Sequence, residues 1–242
     1  MIYDDRTAIF VDYEHDQIAE LILPNGLIAI NVSGGLDSTV VFYAVCQYIK
    51  DLNLQSKIEI IPIHAARKQK FNTLDNAENI FNDIIKKYPD IKIRDLEVFF
   101  YDQYEYSTSC AATTSRGIFY KNLYDKNPSL KLVLDSHTSL PSIEIVEQWE
   151  NDGGIKGINP NRLNKLDSIH HNHPETSVYV YRPFAKIDKK LIKNMFDYLK
   201  LPKEYITTTW SCTGYADKTK NFIEPCKRCW HCWEKKWAFG HF

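Results

Sequence analysis

Apolar residues in this chain fall into short strand-like runs that alternate with stretches of helical spacing. Leu27-Ile28-Ala29-Ile30-Asn31-Val32 is a nearly unbroken apolar, β-branched run, as expected of a strand covered on both faces. From Ser38 to Leu52 the apolar positions recur at helical spacing. Ile58-Glu59-Ile60-Ile61-Pro62-Ile63 predicts a second strand; Pro62, with no N–H to donate, predicts that it ends there or runs near an edge. A polar, helix-favouring stretch from Asn72 to Tyr88 leads through Pro89 to a third strand, Ile91 to Phe100. A helix over Ser115 to Tyr124 and strands over Leu130–Leu134 and Val178–Tyr181 follow. The last long helix, up to Leu199, begins at Asp188, whose carboxylate suits an N-cap. Residues 151–176, with glycines, asparagines and a His-rich run, read as an irregular insertion. The alternation predicts an α/β fold, doubly wound around a mainly parallel sheet.

Length permits one sizeable core with a small appendage, so 242 residues divide into a main domain over 1–204 and a module over 205–242. Thirty basic against 31 acidic residues give no whole-chain electrostatic reason to expect a nucleic-acid or membrane partner. Lys and Arg do gather locally in 182–203 and 227–236. No apolar run approaches the roughly 18 residues of a membrane span, and Met1-Ile2-Tyr3-Asp4-Asp5-Arg6 lacks the pattern of a signal peptide. A cytoplasmic protein without a membrane partner is expected. Four of the six cysteines lie beyond residue 210, which in a reducing compartment points to metal ligands rather than disulfides.

Between the first strand and its helix lies Ser33-Gly34-Gly35-Leu36-Asp37-Ser38. A strand-to-helix turn in an open α/β sheet presents backbone N–H groups and a helix N-terminus to an anion. Gly34 and Gly35 let the backbone close around phosphate oxygens, while Ser33 and Ser38 add hydroxyls. Asp37 repels phosphate and suits Mg²⁺ or an N–H at the helix start. The loop has no lysine of the Walker pattern and no G-x-G-x-x-G fingerprint. A turn using glycine only for its geometry is the bland alternative.

Cys212 is followed after thirteen residues by Cys226-x-x-Cys229-x-x-Cys232. Four thiolates close a tetrahedral Zn²⁺ site with no open position, which makes the ion structural. The same spacing also suits an iron–sulfur cluster, or a set of unliganded thiols. His231 lies between two of the ligands and reads as a bystander. Cys46 falls in a helix pattern and reads as core, and Cys110 as filler in a loop.

The run Ser33 to Ser38 resembles the S-G-G-x-D-S signature of the PP-loop ATP pyrophosphatases. That resemblance implies ATP and Mg²⁺ as cofactors, and splitting of ATP between the α- and β-phosphates to adenylate a substrate. Ser33, Gly34, Gly35, Leu36, Asp37 and Ser38 would grip the pyrophosphate end, and backbone at Ile63, His64 and Ala65 would read the adenine. The loop together with Trp210-Ser211-Cys212 and Cys226–Cys232 resembles the 7-cyano-7-deazaguanine synthases of queuosine biosynthesis, the QueC-like proteins. Arg182-Pro183-Phe184-Ala185-Lys186-Ile187-Asp188-Lys189 and the turn at Arg116 add to it. The resemblance implies adenylation of 7-carboxy-7-deazaguanine, attack by ammonia, and dehydration to the nitrile. Arg116, Lys186 and Lys189 are the candidate cations, with Arg67 and Lys68 behind them.

The resemblance breaks at His64-Ala65-Ala66-Arg67-Lys68-Gln69 and at Asp135-Ser136-His137-Thr138-Ser139-Leu140-Pro141-Ser142, both expected to face the substrate. A PP-loop enzyme acting on a macromolecule, whether in tRNA thiolation or in a QueC-like antiviral system, is therefore the alternative. An ATP-sensing module without turnover is a third reading. A homodimer is left open. His170-His171-Asn172-His173-Pro174 reads as a solvated loop, and Trp230, Trp233, Trp237 and Phe239 as the surface that packs the cysteine module onto the main domain.

Overall fold

The computed structural model describes residues 2–4, 7–12, 17–67, 72–101, 119–153, 170–172, 179–212, 219–220 and 223–242. Its main sheet is built on β4 (Gly26–Asn31), β5 (Ile58–Arg67), β6 (Lys92–Ile93), β7 (Glu97–Tyr101), β8 (Leu130–Leu134), β9 (His170–Asn172) and β10 (Tyr179–Tyr181). The order is β6-β5-β4-β8-β10-β9, with β7 also paired to β5. Every pairing is parallel except β10 with β9. The helices are α1 (Leu36–Asp51), α2 (Asn72–Lys87), α3 (Ile143–Asn151), α4 (Lys189–Tyr198), α5 (Tyr205–Thr208) and α6 (Trp230–Phe239), and residues 119–126 are also helical. None of the described helices is long and apolar enough to cross a membrane.

The unbroken apolar run of β4 follows from its two covers. Ile28 and Ile30 pack with α1 and α4 residues on one face. Leu27 and Ala29 pack with Phe119, Tyr120 and Leu123 on the other. Helix α1 is buried on most of its circumference, including Ser38 and Thr39, so it is a core helix fixed to the sheet end. Asp188 caps α4 as expected: its carboxylate accepts from Lys190 N at 2.7 Å. Gln17 then clasps the cap, donating to Asp188 Oδ2 at 2.6 Å and accepting from Asp188 N at 3.1 Å.

The strand over 58–63 neither ends at Pro62 nor lies at an edge. It runs to Arg67 between β4 and the pair β6/β7, with Pro62 opposite Ile30. Alternation resolves the conflict. Ile63 O accepts from Val32 on the β4 side, and Ile60 O accepts from Arg94 on the other. Pro62 therefore turns its missing N–H to the outer flank, where β6 has ended and β7 has not begun. The expected third strand, 91–100, is split there into β6 and β7 for the same reason. The part of the His-rich run at 170–172 is a strand paired antiparallel to β10, not a loop. Residues 154–169 and 173–176 of the expected insertion, including His173 and Pro174, lie outside the described residues, as do Arg116, Cys110 and Lys68.

No element is predicted above before residue 27, yet β1 (Ile2–Asp4), β2 (Thr7–Asp12) and β3 (Gln17–Ile22) form an antiparallel sheet of their own. Its inward positions Ala8, Phe10, Ala19 and Leu21 join the main core, and Phe10 meets Tyr198 of α4 edge-on at 6.1 Å. The Tyr181 hydroxyl of β10 donates to Glu20 O at 2.6 Å and accepts from Ile22 N at 3.2 Å. At the other end of the chain, α6 packs on α3 and α4. Trp233 stacks with Trp149, and Phe239 meets Phe196 edge-on at 5.7 Å. The C-terminal aromatics are packing residues, as their spacing predicts.

Candidate functional site: a glycine loop, a buried lysine and four thiols

The glycine loop leaves β4 at its C-terminal end. Gly34 has φ 76°, and a Cβ there would strike the Thr73 carbonyl oxygen of α2. Only glycine fits the conformation and the space. Gly35 is the N-cap of α1 and receives no side-chain cap. Its carbonyl accepts from Thr39 N, Thr39 Oγ1 and Ser38 Oγ. Because Ser38 gives its one hydroxyl proton to Gly35 O, Ser33 Oγ must be the donor in the 2.9 Å contact with Ser38 Oγ. Ser33 N also donates to Ser38 Oγ, at 3.1 Å. The two serines brace the loop, and among the described residues no N-cap side chain covers the first turn of α1, the arrangement that binds anions.

Lys189, at the first position of α4, reaches across 152 residues of sequence to Asp37, donating to Oδ1 at 2.6 Å and also to Oδ2. The lysine side chain is 2% exposed and the aspartate 21%. Asp37 therefore meets a cation rather than capping the helix. Lys186 is exposed and has no ion-pair partner among the described residues. Of the predicted cations, the structure brings Lys189 alone to the loop; Arg67 ends β5, and its side chain and Arg116 lie outside the described residues.

Midway along β5, where its pairing with β4 stops, Ile63 O accepts from Val32 N, and His64 Nδ1–H donates to Val32 O at 2.6 Å. A carbonyl only accepts, so the ring is the neutral Nδ1–H tautomer, and burial holds its pKa below the ordinary imidazole value. His64 Nε2 is buried without a hydrogen-bond partner among the described residues. The β4–β5 pairing stops at Ile63. Strand alternation then turns the N–H and carbonyl of Ala65 toward the same flank as Ile63, past the last β4 residue.

A second cluster, built on the run expected from sequence to face the substrate, follows β8, the neighbour of β4. Asp135, just beyond β8 and 6% exposed at its side chain, accepts from His137 Nδ1 at 2.6 Å and from Ser136 N at 3.0 Å. Arg182, just beyond β10, approaches the same carboxylate oxygen at 3.4 Å. Ser139 N donates to Ile187 O, tying this run to the one that carries Lys189. The sequence signal was the abrupt change from an apolar strand to Asp-Ser-His at a strand's C-terminal end, where open α/β sheets place ligands.

The four cysteines predicted as ligands do converge. Their ligand atoms all lie within 4.8 Å of one another. Three of the six Sγ–Sγ distances are 3.5, 3.9 and 4.0 Å, close to the roughly 3.8 Å between thiolates that share one tetrahedral ion at about 2.3 Å. Cys226 N and Cys229 N donate to Cys212 and Cys226 sulfurs at 3.3 Å, and Lys227 takes the left-handed conformation of the turn between them. Cys229 is the N-cap of α6. The cysteine cluster is tied to the loop: Trp210 N donates to Gly34 O at 3.0 Å, and Lys235 of α6 donates to Thr209 O at 3.0 Å. Burial lowers the Lys235 pKa to about 8. Cys46 is core, with burial pushing its thiol pKa up.

No protein-family model matches the chain, and no curated protein sequence does. Among solved structures, the U34-tRNA thiolase NcsA from Methanococcus maripaludis, solved with its [4Fe-4S] cluster, superposes with a TM-score of 0.50 at 15% identity. The match covers 82% of this chain and 65% of the thiolase. The fold is that of the PP-loop, adenine-nucleotide α-hydrolase-like proteins. NAD⁺ synthetase from Burkholderia pseudomallei (8% identity, 84% of this chain and 67% of that one, TM-score 0.40) is a looser match. So is Candida glabrata FMN adenylyltransferase (14% identity, 71% and 48%, TM-score 0.36). Those two scores add nothing to the assignment.

Proposed function

We propose that this chain is an ATP-dependent carbon–nitrogen ligase that adenylates a carboxylate, with 7-carboxy-7-deazaguanine and ammonia as its substrates and 7-cyano-7-deazaguanine as its product. The reading is carried by one observation, the buried Lys189 ammonium held against Asp37 at the mouth of a loop whose helix starts on Gly35 without a side-chain cap. In it, the first-turn amides and Lys189 take the β- and γ-phosphates, and the Ala65 backbone takes the adenine edge. Asp37 would hold Mg²⁺, which supplies positive charge to the phosphates. A substrate carboxylate oxygen attacks the α-phosphorus, and the bond to the β-phosphate oxygen breaks. The positive groups at the loop stabilise the charge of the leaving pyrophosphate. Ammonia then attacks the acyl carbon and AMP departs, leaving an amide. A second adenylation, on the amide oxygen, followed by loss of AMP and a proton, gives the nitrile. We assign one structural Zn²⁺ to Cys212, Cys226, Cys229 and Cys232, since the sulfur spacing suits one ion rather than a multi-iron cluster.

Modification of a macromolecule is favoured by one observation, the Asp135–His137–Arg182 cluster where the deazaguanine resemblance breaks. One assay separates the readings: incubation with ATP, Mg²⁺, ammonia and 7-carboxy-7-deazaguanine, with detection of AMP, pyrophosphate and nitrile. Pyrophosphate released only when tRNA or a protein is added refutes the small-molecule reading.

A further inference from the structure

The Asp135–His137 pair has the form of an oriented base. The carboxylate is buried and takes the Nδ1 proton, so it fixes the tautomer and directs acid–base chemistry to Nε2. Position gives the pair its task. The chain leaves β4 toward β5 on one side and returns through β8 on the other, so the β4/β8 boundary is the topological switch point of the sheet. Ile30 of β4 lies opposite Leu134 of β8. The glycine loop and the Asp135–His137 run therefore leave the C-terminal ends of neighbouring strands, one on each side of that boundary. The imidazole side chain is 32% exposed there, while Asp135 is anchored by Ser136 N and Arg182.

We propose that His137 is the general base of the aminolysis step, with Asp135 as its positioning residue. The proposal rests on the adenylating reading above. An amine attacking an acyl adenylate forms a C–N bond while the C–O bond to AMP breaks, and AMP leaves with the bonding pair. The nitrogen, now positively charged, must lose a proton to become an amide. Nε2 takes that proton, and Asp135 stabilises the resulting imidazolium. The chemistry requires a nucleophile with an N–H, whether ammonia or the amine of a larger acceptor.

The test splits the two half-reactions in the full-length protein. ATP–pyrophosphate exchange, driven by the carboxylate alone, reports adenylation; amide formation reports aminolysis. His137→Gln is expected to slow aminolysis by about 10²–10⁴-fold and exchange by far less. The pH limb of aminolysis that belongs to the imidazole should vanish, and added imidazole should restore part of the rate in His137→Ala. Equal loss in both half-reactions, or an unchanged pH profile, overturns the proposal. A readout without turnover is the imidazole ¹⁵N spectrum: an Nδ1–H tautomer in the native chain, lost in Asp135→Asn, is expected. An Nε2–H tautomer in the native chain sinks the dyad. Absence of exchange with every acid tried refutes the adenylating reading, while the tautomer result still decides the Asp135–His137 pairing.

Discussion

Removing either end of the Lys189–Asp37 pair should cost unequal amounts, and the inequality follows from burial. Lys189→Met leaves an aspartate that is 21% exposed, so water can reach it. The loss is expected at about 1–2 kcal/mol, below the 3–5 kcal/mol typical of a broken buried pair. Asp37→Asn leaves an ammonium that is 2% exposed with a neutral amide for a partner. That variant is expected to lose about 3–4 kcal/mol. Denaturant unfolding of both single variants and of the double variant supplies the cycle. The double variant should recover part of the Asp37→Asn loss, because it has no stranded charge. Equal losses, or a larger one for Lys189→Met, would show that the pair is not held as described. On the adenylating proposal, which puts this pair beside the phosphates, both variants should also lose ATP turnover by about 10²-fold or more.

Gly34→Ala should abolish nucleotide binding and cost more than 2 kcal/mol, because left-handed strain of about 1–2 kcal/mol adds to a clash with Thr73 O. Gly153→Ala, also at positive φ but facing open space, should cost only the strain; equal effects by denaturant unfolding would remove the steric argument. One equivalent of zinc per chain is expected by elemental analysis, lost in Cys229→Ser; an iron-containing, visibly coloured protein would contradict it. His64 is neutral in the fold with a lowered pKa, so its stability contribution is complete above the unfolded value of about 6.5 and is lost as pH falls toward the folded one. Unfolding at pH 7.5, 6.0 and 5.0 should therefore show a decline of up to ~1.4 kcal/mol per pH unit that His64→Gln lacks. The same decline in both proteins would place its origin elsewhere.

How much of this was readable in advance depended on whether the signal was local. The loop, the β4 run and the Asp188 cap declare themselves within a few residues, and each stands where its pattern puts it. The four cysteines are close enough in sequence for their spacing to predict a shared site. Pro62 misled because its effect depends on which flank its nitrogen faces, a property of the whole sheet. The N-terminal sheet carried a legible period of two in Gln17-Ile18-Ala19-Glu20-Leu21-Ile22, whose odd-numbered apolar members are buried, but its partner, the face of α4, lies far along the chain. The Asp135–His137–Arg182 cluster joins the ends of two strands through residues 47 apart in sequence, Asp135 and Arg182, and no motif announces such a pairing. Lys189 was nameable as a cation, but its choice over Lys186 follows from which side of a helix start turns inward.

Cleavage of ATP between its α- and β-phosphates at the loop 33–38 is tested most directly by ³¹P NMR of ATP incubated with the protein, Mg²⁺ and the acid substrate. AMP and pyrophosphate are expected in equal amounts, both lost in Lys189→Met. ADP and inorganic phosphate as the products would contradict it.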